Sequence, residues 1–175
     1  MNTMRLALIA LALTWTSAHA EDADPMAPYK KLGFLVGSWK IDGTQKETPF
    51  GGPSGKFVGT LVCTQFTGGF QVVCNGDSKI GGTIYRELAA FGYDAEARAY
   101  TWFDLDSTGM NALAKGAVTG KSWAYTFEMP AGGETVKLNV IIEQVAPTKL
   151  HNVASYSIDG AAPTTFLDLT LTKST

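Results

Sequence analysis

Two charged residues sit among large apolar ones in a way that could do chemistry. Asp104 falls by alternation on one strand face with Tyr100 and Trp102, and Arg86 on a face with Ile84, Leu88 and Ala90. If those faces turn inward, a carboxylate and a guanidinium enter an apolar interior. Buried charges are costly unless paired or hydrogen-bonded. The pair would then be an internal ion pair, the polar anchor of a bound molecule, or an acid–base couple. A solvated rim is the reading if the faces turn outward.

Other chemistry has less support. Histidine occurs twice, at His19 and His151, and cysteine twice, at Cys63 and Cys74. Zinc, copper and iron sites need clusters of such ligands, so no metal is expected. Asp94, Glu96, Asp104 and Asp106 are acidic enough for calcium but lack EF-hand spacing, and read as solvated loop carboxylates. No G-x-S-x-G elbow occurs, and His151 has no evident nucleophile beside it. No glycine-rich loop follows a strand and opens a helix, so the glycines read as turns. No cofactor is expected.

The elements that must position these residues are short β runs. Phe57–Phe66 and Phe70–Cys74 are rich in Val, Phe, Thr and Leu, with Thr67-Gly68-Gly69 between them. Folding this hairpin about Gly68-Gly69 sets Cys63 opposite Cys74, on one face and within disulfide reach. A structural disulfide is expected, contributing roughly 2 kcal/mol for so short a loop. A redox pair would more often be C-x-x-C. Tyr29–Val36 allows a helical turn or two. Trp39–Glu47 begins the β series. Beyond the cysteine hairpin come Ile84–Tyr93, Ala99–Leu105, Gly109–Val118, Ser122–Met129, Val136–Val145, Leu150–Ile158 and Thr164–Lys173. That makes about ten strands, most joined by tight turns. No segment is long enough for crossover helices, so the sheet must be antiparallel.

Alternation shows a dry face and a wet one. Trp123, Tyr125, Phe127 and Met129 oppose Ser122, Ala124, Thr126 and Glu128; Leu167, Leu169 and Leu171 oppose Asp168, Thr170 and Thr172. A closed barrel or a sandwich satisfies this pattern, and the lack of long connections favours an all-β, up-and-down antiparallel barrel. Eight strands make a barrel just wide enough for side chains or one small ligand, so ten suggest a cavity. Tyr100, Trp102, Trp123, Tyr125, Phe127 and Tyr156 lie on the inner faces of such a barrel. They either fill it or line a pocket.

Residues 1–20 read as a secretory signal: Arg5, an apolar run too short to span a bilayer, and Ala18-His19-Ala20. Cleavage after Ala20 leaves a single domain, residues 21–175, in the periplasm or secreted. No later run is long and apolar enough to span a membrane. Hydrophobic residues make up 45% of the chain, enough for a sizeable core. Charged residues make up 17%, below the usual quarter, and the net charge is −2. No basic patch marks a nucleic-acid partner.

The stretch Leu32-Gly33-Phe34-Leu35-Val36-Gly37-Ser38-Trp39 places G-x-W at the start of the first strand, after a helical turn. In this the chain resembles the lipocalin-like (calycin) barrels. It resembles in particular an exported bacterial family of that superfamily known as a domain of unknown function. The resemblance implies a barrel plugged at one end by Trp39 and closed by the preceding turn. It also implies an arginine late in the chain stacked on Trp39, but the last arginine here is Arg98. In shape the chain resembles the nitrobindin-type haem barrels, which ligate iron through a last-strand histidine. Thr164–Lys173 carries none, and His151 falls on the polar face of the strand before it.

The expected function is the binding of a small apolar or amphipathic molecule inside the barrel, without catalysis. Trp39, Arg86, Tyr100, Trp102, Asp104, Trp123, Tyr125 and Tyr156 are the candidate ligand-binding residues. Two other readings stay open: a packed barrel acting through protein–protein contacts, and an enzyme using Asp104 or Arg86 on a lipid-like substrate. A homodimer is also left open.

Overall fold

The computed structural model describes residues 24–174. The signal segment read at residues 1–20 lies outside them. Ten strands form a closed antiparallel barrel in which each pairs with its sequence neighbours and the last closes on the first. They are β1 (Gly37–Gln45), β2 (Gly55–Gln65), β3 (Val72–Ile80), β4 (Thr83–Asp94) and β5 (Ala99–Asp106). The second half comprises β6 (Asn111–Thr119), β7 (Ser122–Ala131), β8 (Glu134–Ala146), β9 (Lys149–Ile158) and β10 (Thr164–Lys173). Closure pairs Trp39 with Lys173 and Gln45 with Leu167, so no sheet edge is left unpaired.

Tight turns make the meander. Between β3 and β4 two residues suffice: Gly81 and Gly82 both have positive φ, at 58° and 91°, which side-chain-bearing residues rarely adopt. β3 runs six residues further than its apolar start announces, through Asn75-Gly76-Asp77-Ser78-Lys79 to Ile80. Ladder pairing to β2 and β4 carries this polar stretch, despite its weak β propensity.

The two ends of the barrel differ. At one end helix α1 (Ala27–Lys30) runs into a 3₁₀ turn, Lys31–Leu35, whose Leu32 and Leu35 are buried. Trp39 is fully buried beneath this cap, and its indole N–H donates to the Leu35 carbonyl at 2.8 Å. The Tyr100 hydroxyl donates to the Pro28 carbonyl at 3.0 Å, tying β5 to the cap. Where the resemblance implied an arginine over Trp39, the cation is Lys173. Its Nζ stands 5.3 Å from the indole centroid and donates to the Val36 carbonyl at 3.2 Å.

Cys63 and Cys74 are directly opposed on β2 and β3, with Cα atoms 4.0 Å apart, and are joined by a disulfide. Both are buried and face inward near the capped end. Among the described residues no helix is long and apolar enough to cross a membrane.

Candidate functional site

A cavity of about 590 Å³ occupies the uncapped half of the barrel. The hairpin ends at that side form its mouth: Phe50-Gly51-Gly52-Pro53 between β1 and β2, and Thr108-Gly109-Met110 between β5 and β6. Phe50 packs edge-on against Tyr156 and Phe166, with ring centroids 5.5 and 5.8 Å apart. Below the mouth, β1, β8 and β10 supply aliphatic wall from Ile41, Leu138, Val140, Leu169 and Leu171. A smaller inner chamber of about 70 Å³ continues towards the disulfide.

One wall is aromatic. Trp102 on β5 lies against Tyr125 of β7 at 4.4 Å and Phe127 at 5.7 Å, the rings tilted by 33° and 36°. The period-2 alternation of β5 and β7 brings these side chains inward, and the intervening β6 offers only small residues there. Ala114 pairs with Trp102, and Gly116 with Tyr125. The aromatic rings therefore meet across β6.

Beside that wall stand three carboxyl groups. The alternation that turns Trp102 inward also turns Asp104 and Asp106 inward on β5; on β4, Tyr85 and Glu87 point the same way. Glu87 is opposite Asp106, and Asp104 is opposite Ala89, one inward step further along β4. Diagonal neighbours on one sheet face are within reach of such side chains. Asp104 is 1% exposed, and its Oδ1 has no hydrogen-bond partner among the described residues. Burial, reinforced by the charges of Glu87 and Asp106, pushes its pKa up to about 8. Burial also raises Glu87 to about 7, with Asp106 adding to the rise and a hydrogen bond from Tyr85 opposing it. The Tyr85 hydroxyl lies 3.5 Å from Glu87 Oε2. Burial raises both Tyr85 and Tyr125, and the neighbouring carboxylates raise them further. Asp106 has a local task as well. Its Oδ1 accepts from the Thr108 amide and hydroxyl and from the Met110 amide, folding the β5–β6 turn at the mouth.

The sequence candidates divide by position. Trp102, Asp104 and Tyr125 line the cavity. Trp39, Tyr100 and Trp123 sit towards the capped end and do not touch it. Trp123 is fully buried against Phe91 at 4.8 Å, and its indole nitrogen has no partner among the described residues. Tyr156 stands behind the mouth, against Phe50 and Phe166. Arg86 faces outward. Its exposed side chain lies 3.8 Å from Asp77, so it makes no internal pair with Asp104. The phase of β4 is set by Ala89, Phe91 and Tyr93, which put Arg86 outside and Glu87 inside. The reading of Asp104 and Asp106 as solvated loop carboxylates is also corrected: both lie on β5, facing the lumen. Asp94, by contrast, closes the β4–β5 turn by accepting from the Ala97 amide.

His151 lies outside the lumen, its ring nitrogen 2.9 Å from Asp168 on the neighbouring strand. Among the described residues no group of His, Cys, Asp or Glu is arranged to hold a metal ion. Nor does any lysine, arginine or histidine line the cavity. What the arrangement offers is a roomy apolar slot with an aromatic wall and a cluster of acids lacking a cation.

Comparison with solved structures shows the same fold at low sequence identity. Rv2717c from M. tuberculosis superposes with a TM-score of 0.60 and 14% identity, covering 88% of this chain and all of that one. The S-type phycobiliprotein lyase CPES from Guillardia theta gives 0.51 and 10%, covering 85% and 92%. Among curated proteins none matches. The model of one family, described as a protein of unknown function (DUF1579), matches residues 24–173. That span takes in the whole barrel from cap to last strand, and the chain belongs to the DUF1579 family.

Proposed function

We propose that this protein is an exported binding protein whose barrel holds one small apolar or amphipathic molecule. The observation that carries this reading is the cavity of about 590 Å³, walled by Trp102, Tyr125 and Phe127 and open at one end. Ligand sites in proteins commonly enclose roughly 300–1,000 Å³, are mostly apolar, and carry a few converging polar groups. A barrel packed solid would leave no such space. Asp104, buried and with its Oδ1 unpartnered among the described residues, is the kind of polar group that a bound molecule completes.

Export rests on the signal-like residues 1–20, and a disulfide suits the oxidising compartment beyond the inner membrane. A homodimer, where one forms, has an apolar outer surface available. Leu88 pairs with Leu105, and Phe103 with Leu113, and all four are exposed.

Native mass spectrometry of the protein isolated from the periplasm of its producing cells tests the reading. One small-molecule adduct per chain, released on denaturation, is expected. A bare chain that also fails to take up the neutral dye N-phenyl-1-naphthylamine contradicts it.

A further inference from the structure

The polar chemistry of the lumen is one-sided. Glu87, Asp104 and Asp106 bring carboxylates into it, and the side-chain oxygen of Asn152, buried and unpartnered among the described residues, adds another acceptor. No basic side chain answers them there. On the outer surface of this half of the barrel Arg86 faces Asp77 and Lys56 faces Asp42, and no cation of the described residues lines the cavity. A carboxyl group buried without its full set of hydrogen-bond partners is costly even when it keeps its proton. A chain that needed only a filled core would place Leu or Val here.

The backbone makes room for this cluster. Residue 76 on β3, opposite Glu87, is glycine. A Cβ there would stand 2.6 Å from Glu87 Cγ and 2.9 Å from its Oε1. The Glu87 side chain therefore lies over bare backbone.

The groups facing the cluster come from few elements. β4 gives Tyr85 and Glu87, β5 gives Asp104 and Asp106, β7 gives Tyr125, β9 gives Asn152, and the start of β6 gives Asn111. The lining residues of β1, β2, β8 and β10 carry no charge. The aromatic wall adjoins the acids through Trp102, two residues from Asp104 on the same face. Aromatic faces attract cations.

We infer that the ligand carries a protonated amine, held by Glu87, Asp104 and Asp106, on a flat apolar body that lies against Trp102, Tyr125 and Phe127. This rests on the lumen being a ligand site at all, and goes further by fixing the charge of what it takes. An ammonium group supplies the donors and the positive charge that the cluster lacks. A ligand carboxylate would meet three acids and would need them protonated. The two cases move protons in opposite directions. Glu87 and Asp104 sit at about 7 and about 8, so a cation bound beside them expels protons near neutral pH, and an anion bound there takes them up.

Isothermal titration of the protein with 2-naphthylethylamine, 2-naphthylethanol and 2-naphthylacetate, near pH 7.5 in Tris and in phosphate, provides the test. The amine is expected to bind roughly ten- to hundredfold more tightly than the alcohol, the range of a hydrogen bond to a charged group. The difference in heat between the buffers should report proton release. The doubly substituted Glu87→Gln, Asp104→Asn protein should lose most of that preference and the proton release. The wild-type buffer comparison stands by itself if the variant misfolds. Equal binding of amine and alcohol overturns the inference and leaves the binding function intact. So does tightest binding of the acetate, with proton uptake. Failure of all three compounds to bind removes the ligand site, and the inference with it.

Discussion

The side chain of Glu87 lies across the backbone of Gly76, its partner on the neighbouring strand, in space that any Cβ at residue 76 would occupy. A glycine inside a strand normally weakens it. Here it lets a carboxyl group lie flat against the wall of the lumen. Gly76→Ala should therefore cost about 1–3 kcal/mol, as overpacking does, despite the better β propensity of alanine. It should also weaken amine binding about tenfold by displacing Glu87. Chemical denaturation and the naphthylethylamine titration check the two effects separately.

The acids should make the barrel less stable as pH rises. Glu87 and Asp104 have folded-state pKa values of about 7 and about 8, against ordinary values of 4.5 and 3.8. A raised carboxyl pKa means that the folded state holds its proton more tightly than the unfolded chain does. The stability tied to that proton is complete below about pH 4 and is lost as pH climbs through 7 and 8. Melting temperature should fall between about pH 5 and pH 9. Asp104→Asn should flatten that fall and melt roughly 5–10 °C higher than wild type at the alkaline end. Thermal melts across this range check it.

Lys173 should secure the capped end. It lies over Trp39 and bonds to the Val36 carbonyl, so one side chain ties the last strand to the chain entry. Lys173→Ala should cost about 1 kcal/mol, and Lys173→Arg should recover most of it. Trp39→Ala, which empties a fully buried site, should cost about 3–5 kcal/mol. Denaturant titration of the three variants ranks them.

Removing the disulfide should loosen the barrel without opening it. Cys63→Ser with Cys74→Ser should lower stability by about 2–3 kcal/mol, the chain-entropy scale for a loop with a separation of 11 residues. The ladder partners on both strands remain, so the circular dichroism spectrum should be unchanged below the transition.

Much of this architecture is legible in the residues themselves, and the part that is not has a physical cause. Alternation reveals the ten strands, and folding about Gly68-Gly69 pairs Cys63 with Cys74. On β5 the aromatic face of Tyr100 and Trp102 carries Asp104 inward with it. On β4 the phase is ambiguous, because Ile84 and Leu88 are apolar yet exposed on the outer face. Reading back from Phe91 and Tyr93 gives the other phase and places Tyr85 and Glu87 in the lumen. The sequence reading thus misses Glu87 and offers Arg86 instead, and it leaves Asp106 among the loop carboxylates although that residue also faces the lumen. Gly76 gives no sign of its role in sequence, since the clash it avoids exists only once β3 and β4 are paired. The cation over Trp39 is likewise settled only by closure of β1 on β10, which brings Lys173 to a place where the resemblance implied an arginine.

Titration with N-phenyl-1-naphthylamine, comparing wild type with Ala154→Phe, tests most directly whether the lumen is a binding site. Ala154 is 2% exposed and lines the cavity from β9, so a ring there fills space that a ligand would use. Saturable dye fluorescence at one site per chain, weakened at least tenfold in a folded Ala154→Phe protein, is the expected result. Dye binding that is absent, or that is unchanged when the lumen is filled, would contradict the account.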